Sequence, residues 1–263
     1  MAATSIEYYQ GRWLTNRVLN DRARFVMASM MLFLHFDRRE DVANSGMTAA
    51  RLREICTGLG LCSPGRVEAM LLMMRASGYL ERVDVPQDRR VRRYAPTAKL
   101  VDLHRERHRR ILTAIDILRG TSYAPRLDAA GEFYRQFLLA MGRGYLAGFR
   151  VIEHAPELAA VMDRDAGMIV MVNVFLAGSD FVELCPSALQ NVSVAGLARR
   201  FNVSRVHVRS VLRDAEAAGL VTRQSEAARA RALPKLIDAA EIFFATAFVF
   251  LESCAQRAMT ETA

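Results

Sequence analysis

The stretch CSPGRVEAMLLMMRASGYLERV (62–83) has a counterpart in the other half of the chain, VSRVHVRSVLRDAEAAGLVTRQ (203–224). At an offset of 141, Ser63 matches Ser204, Val67 matches Val208, Leu71 matches Leu212 and Gly78 matches Gly219. Upstream, MTAARLREI (47–55) resembles VSVAGLARR (192–200) at an offset of 145, which puts about four extra residues in the first copy's turn, near Thr57–Gly60. Downstream, Pro96 and Pro234 each open a long helical pattern. A repeat at fixed offset is the signature of a duplicated supersecondary unit.

Each copy follows the same local logic. A short helix starts at a hydroxyl residue, Thr48 or Ser193, and a turn with Gly or Asn follows. A second helix starts at Ser63 or Ser204, whose oxygen can accept from an otherwise unpaired backbone N–H. Pro64 suits the first helical position, where its missing N–H costs nothing. Gly78 and Gly219 suit the left-handed residue that closes a helix. Two strand-like stretches come next, YLERVDV with RRVRRYA in the first copy and LVTRQ with RARAL in the second. This order predicts a helix-turn-helix followed by a β-hairpin wing.

Charge is concentrated in the same places. The net charge is +8, carried by 36 Lys and Arg against 28 Asp and Glu. Segment 81–110 has a net of +5 and segment 195–235 a net of +6, so the rest of the chain is negative. A clustered excess of basic residues makes nucleic acid the first partner to consider. The two copies place their charge differently. In the second, Val208, Leu212 and Ala215 recur at helical spacing and predict a core face, leaving Arg205, His207, Arg209, Ser210 and Arg213 outward. Such donors reach base edges or phosphates. In the first, the outward positions are Pro64, Gly65, Arg66, Glu68, Ala69 and Leu72, and the arginines lie in DVPQDRRVRRY (84–94) instead. Strand alternation there would put Arg90, Arg92 and Tyr94 on one face.

The stretch GYLERVDVPQDRRVRRYAPTAKL (78–100) resembles the MarR family of winged-helix DNA-binding regulators. The resemblance rests on Gly78, the Asp88-Arg89-Arg90 tip and Thr97, and it covers residues 45–118. Pro96 and Leu100 depart from the family's usual leucine and glycine. The second copy lacks the Asp-Arg-Arg tip and looks like a generic bacterial winged helix. The resemblance implies that Arg90 enters a minor groove and that Asp88 holds the wing in shape. It also implies dimerisation through helices outside the winged module, and a small aromatic or anionic effector. No residue set in the sequence identifies that effector.

The expected fold is mainly α with small β-hairpin wings: two tandem winged modules packed with long flanking helices. The boundaries read as 1–120 for the first module, 121–130 for a linker and 131–263 for the second. Expected helices cover 5–37, 131–152, 156–178 and 234–259. GMIVMVNVFLAG (167–178) and IFFATAFVFL (242–251) are too short to span a bilayer and read as helices buried on all sides. GRGYLAG (142–148) suggests close helix packing. His104 and His108, in HRERH, read as part of a solvated basic helix.

Four cysteines, with no C-x-x-C pair, suit core positions in a reduced cytosolic protein or, for Cys56 and Cys62, a redox role. No secretory signal, metal-ligand spacing, phosphate-binding loop or catalytic constellation stands out, so neither an enzyme nor a cofactor is expected. The resulting expectation is a cytoplasmic, nucleoid-associated regulator of double-stranded DNA, acting as a pseudo-symmetric monomer or a homodimer. Its DNA contacts are expected from Ser63, Arg66, Asp88, Arg89, Arg90, Arg92, Ser204, Arg205, His207, Arg209, Ser210, Arg213, Arg223, Arg229 and Arg231. The alternatives are a winged protein-interaction scaffold and a ligand- or thiol-responsive sensor.

Overall fold

A computed structural model describes residues 19, 21–39, 42, 45–83, 92–129, 131–178, 190–191, 193–224 and 229–262. The described chain is mainly helical, with two small antiparallel sheets. It divides into two compact units. The first unit holds residues 23–149 and 248–262. The second holds 150–247 with the described residues up to Arg22.

The first unit begins with α1 (Arg22–Phe36), of which Arg22 belongs to the second unit. Every residue from Val26 to Leu34 is buried, so α1 is its central helix. There follow α2 (Ala49–Gly58), α3 (Pro64–Ala76), β1 (Leu80–Val83) and β2 (Arg93–Pro96). Strands β1 and β2 pair antiparallel, from Leu80 opposite Pro96 to Val83 opposite Arg93. A bridge between Thr48 and Arg93 adds a third short segment alongside β2. Long helices α4 (Ala98–Arg119) and α6 (Gly131–Leu146) flank a short α5 (Tyr123–Ala129).

Helix α5 occupies the stretch expected as a linker. The Asp116 carboxylate explains it: it accepts from Thr121 Oγ1 at 2.6 Å and from the backbone N–H groups of Tyr123 and Ala124 at 2.8 Å. It thereby caps α5 and ties it to α4. Helix α6 ends at Leu146, short of the expected 152. A Cβ on Gly142 would stand 2.1 Å from the Phe33 ring, and one on Gly144 would stand 2.6 Å from the Phe250 ring. The close packing expected from GRGYLAG is present at both glycines.

The second unit continues with two 3₁₀ turns (Val151–His154 and Pro156–Leu158), α7 (Ala159–Met162), α8 (Gly167–Gly178), β3 (Gln190–Asn191), α9 (Val194–Phe201), α10 (Arg205–Ala217), β4 (Val221–Gln224) and β5 (Arg229–Ala232). The sheet order is β3-β5-β4. The expected 156–178 helix is interrupted at Asp163–Ala166, where Ala166 takes a left-handed φ of 54°. The core joins α7 to α10 through Val161, Val170, Val174, Phe201, Val208, Val211 and Leu212. Helix α11 (Pro234–Glu261) contributes residues to both units. Ile242 is 47% and Val249 56% exposed, so IFFATAFVFL is not buried on all sides as expected.

The same order of elements thus occurs twice, and its details repeat. The Thr48 and Ser193 side chains accept from Arg51 N and Gly196 N. Ser204 accepts from His207 N at 3.0 Å, but Ser63 makes no such bond, contrary to expectation. Each turn passes through a left-handed residue, Gly60 at φ 63° and Asn202 at φ 55°. Each is closed by the same six-residue backbone bond, Leu61 N to Cys56 O and Val203 N to Ala198 O. Thr57 and Gly58 belong to α2, which is ten residues long against eight for α9, so two of the first copy's four extra residues lengthen its helix and two its turn. Gly78 and Gly219, at φ 70° and 71°, close α3 and α10 identically, with Tyr79 N on Met74 O and Leu220 N on Ala215 O.

The chain's two lysines complete the correspondence. Lys99 Nζ donates to Ser77 O and Lys235 Nζ to Ala218 O, each at 2.9 Å. A lysine ammonium at a helix C-terminus satisfies an unpaired carbonyl and opposes the negative end of the helix dipole. Among 36 basic residues, the two that are lysine hold equivalent positions.

Candidate nucleic-acid interface

Helix α10 displays a basic face. Val208, Val211, Leu212 and Ala215 are buried, which fixes the helix's rotation and turns Val206, Arg209 and Arg213 outward, with Arg205 beside them. Arg205 and Arg209 are exposed and, among the described residues, hold no carboxylate. The Arg213 side chain is 70% exposed and its Nε lies 3.7 Å from Asp214. Val206, 73% exposed, adds an apolar contact point.

The Asp163–Ala166 break braces this helix. Arg164 pairs with Asp214 at 2.8 Å and donates to Ser210 Oγ at 2.9 Å. His207 Nε2 lies 2.6 Å from the Asp165 carbonyl, a geometry that suits a ring N–H donating to it. His207 and Ser210, two of the residues expected to read bases, are therefore engaged within the unit. Arg223 is held too: its backbone N–H and its guanidinium all donate to the Glu216 carboxylate, at 2.6–3.0 Å. The Arg223 hydrogen bonds draw the Glu216 carboxyl below the usual range. Ser204 is committed to its cap. Arg229 and Arg231 alternate along β5 with the buried Ala230 and Ala232. Arg231 is half-buried.

Helix α3 is poorer in donors. Ser63 and Arg66 are exposed, as is Leu72 at 67%. Glu68 pairs with Arg53 of α2, which offsets the charge that would repel phosphate. Arg92 is exposed and stands just before β2, where its carbonyl accepts from Ala49 N. Tyr94 turns inward with Arg75 over its ring, so the expected shared face of Arg92 and Tyr94 is not present. Asp88, Arg89 and Arg90 lie outside the described residues.

His104 and His108 are fully buried on α4, which corrects the solvated reading of HRERH. With Leu100, Ile111, Leu112 and Ile115 they form one inward stripe. Phe25 stacks on His104, and Tyr134 and Phe137 flank His108. His108 Nδ1 lies 3.4 Å from the Tyr134 hydroxyl; the other three ring nitrogens of the pair lack a partner among the described residues. Burial, reinforced by Arg107, pushes His104 down to about 3 and His108 well below the usual histidine range. Their periodicity was visible in the sequence, but histidine's polarity masked it.

A small apolar cleft in the second unit is lined by Met162, Met168, Met171, Phe175, Phe243 and Phe244. Among the described residues there is no group of three or more His, Cys, Asp or Glu that could hold a metal, and no helix long and apolar enough to cross a membrane. Compared with family models, with curated proteins and with solved structures, the chain matches none.

Proposed function

We propose that the chain is a transcriptional regulator that binds double-stranded DNA through two tandem winged helix-turn-helix modules related to the MarR family. The observation that carries this reading is the exposed Arg205, Arg209 and Arg213 on α10, a helix that follows a short helix and a tight left-handed turn and precedes a small sheet. In such modules the second helix lies in the major groove. Arg209 reads base edges and Val206 meets a thymine methyl, while Arg205 and Arg213 hold phosphates. His207 and Ser210 set the pose of the helix through Asp165 and Arg164. The wing arginines, Arg89, Arg90 and Arg92, add minor-groove contacts, and Asp88 holds the wing in shape. Because α3 and α10 present different faces, the preferred site is asymmetric.

Arg209→Ala is expected to lose about 1–3 kcal/mol at the preferred site and to relax its sequence preference. Equal weakening on preferred and random duplexes, measured by fluorescence anisotropy, would reassign Arg209 to phosphate. A second reading concerns α3 alone. Exposed Leu72 and Ala69, with the Glu68–Arg53 pair, suit a protein surface better than a phosphate backbone. Leu72→Arg distinguishes them: tighter DNA binding supports the duplex-facing role, and unchanged binding supports the protein surface.

A further inference from the structure

Cys62, in the first turn, links two further sulfur-bearing side chains, Met27 of α1 and Cys56 of α2. The Cys62 thiol lies 3.6 Å from the Met27 thioether of α1, in donor geometry. Cys56, in the last turns of α2, is hydrogen-bonded through its thiol to Cys62. Cys56 and Met27 are buried at 0% and 1% exposure, whereas Cys62 is half-buried, which gives the cluster one side facing solvent. The backbone builds the approach: the bond from Leu61 N to Cys56 O and the left-handed Gly60 fold the chain back on α2. Cys62 then stands one residue before Ser63, the first residue of α3's entry. Neither Cys56 nor Cys62 is in a disulfide.

The geometry points to a site for a thiophilic monovalent cation of the copper(I) class, bound by Cys56, Cys62 and Met27. The 3.6 Å between the Cys62 and Met27 sulfurs suits two ligands of one ion at the ~2.3 Å of a metal–thiolate bond, and the Cys56 thiol, hydrogen-bonded to Cys62, is placed to supply the third. Thiolate and thioether ligands select soft ions. Magnesium and calcium require oxygen donors. Structural zinc requires four ligands, and no group of three His, Cys, Asp or Glu is present among the described residues to supply them. On binding, two S–H bonds break and two metal–sulfur bonds form with the thiolates, and two protons pass to the solvent; the thioether adds its lone pair and no electron is transferred. Burial, reinforced by Cys62, pushes the Cys56 thiol up to about 12, so the proton is retained until a cation displaces it and affinity rises with pH. The cation would join α1, α2 and the entry to α3, fixing the pose of α3. The site does not depend on what α3 contacts.

The test is an anaerobic titration of the reduced full chain with copper(I) against a chromophoric copper(I) chelator. One equivalent is expected to leave the chelator and to give a thiolate-to-copper ultraviolet band. Cys62→Ser, at the half-buried position, should weaken binding more than about 100-fold, beyond what a supporting contact accounts for. Met27→Leu keeps the volume and should weaken it about 10-fold with unchanged circular dichroism, whereas Cys254→Ser should leave it intact. Failure to compete with the chelator, or undiminished binding by Cys62→Ser, overturns the site. Conversion to a Cys56–Cys62 disulfide without any copper competition overturns it equally, in favour of a redox pair.

Discussion

Gly142→Ala is expected to destabilise the first unit by about 1–2 kcal/mol or more. The added Cβ would lie 2.1 Å from Cδ2, 2.3 Å from Cγ and 2.8 Å from Cβ of Phe33. Phe33 is itself only 3% exposed on a helix buried along nine consecutive residues, so its ring has no vacant space to enter. Relief requires α1 and α6 to move apart, and overpacking a filled core costs about 1–3 kcal/mol, occasionally more. Alanine's better helix propensity returns at most about 1 kcal/mol. Gly65→Ala is the control, because a Cβ there meets nothing within 4 Å. Denaturant unfolding should show a large drop for Gly142→Ala and none for Gly65→Ala. Matching midpoints would mean that α1 and α6 are not in contact at this glycine.

Mild acid is expected to destabilise the protein through His104 and His108. Both rings are neutral in the fold, with values below 6.5, and both protonate in the unfolded chain near 6.5. The unfolded state therefore binds more protons below that value, and stability falls as pH falls. The contribution is fully present above about 6.5 and is lost towards the folded value of about 3 for His104. Each ring adds a slope of about 1.4 kcal/mol per pH unit within that window. Arg107 on the same helix reinforces the effect, and Arg105, over the Tyr134 ring at 5.0 Å, adds positive charge beside the cluster. His104→Leu removes one titrating ring and two nitrogens that lack partners among the described residues. It should unfold at the same denaturant concentration as the parent, or a higher one, at pH 7.5, and at a clearly higher one at pH 5.5. An identical pH slope in parent and variant would contradict neutral burial of the pair.

Local chemistry with a strict positional requirement was legible in the sequence. The caps at Thr48, Ser193 and Ser204, Pro64 at the start of α3, and the left-handed Gly78 and Gly219 follow from residue type and spacing alone. The glycine contacts of α6 were legible for the same reason. Features created by distant partners were not. Asp116 turns an apparent linker into α5 by reaching seven and eight residues ahead. The third segment of each sheet, at Thr48 and at Gln190–Asn191, is too short to leave an alternating pattern. Of the interface residues, exposure of Arg205, Arg209 and Arg213 followed from helical periodicity. The engagement of His207 and Ser210 depends on Asp165 and Arg164, 42 and 46 residues away in the chain. The Asp-Arg-Asp-Ala-Gly run that supplies them has the composition of a turn, although the apolar pattern on either side of it predicts a continuous helix.

The central claim is that the two modules together bind duplex DNA with sequence preference. Its most direct test is selection of genomic fragments by the purified full chain at physiological salt, followed by sequencing. The account predicts enrichment of one asymmetric site, with the major-groove contacts of its two halves about 34 Å apart, and affinity that falls steeply with added salt. Recovery of no enriched sequence, together with no retention of DNA even at low salt, would contradict it.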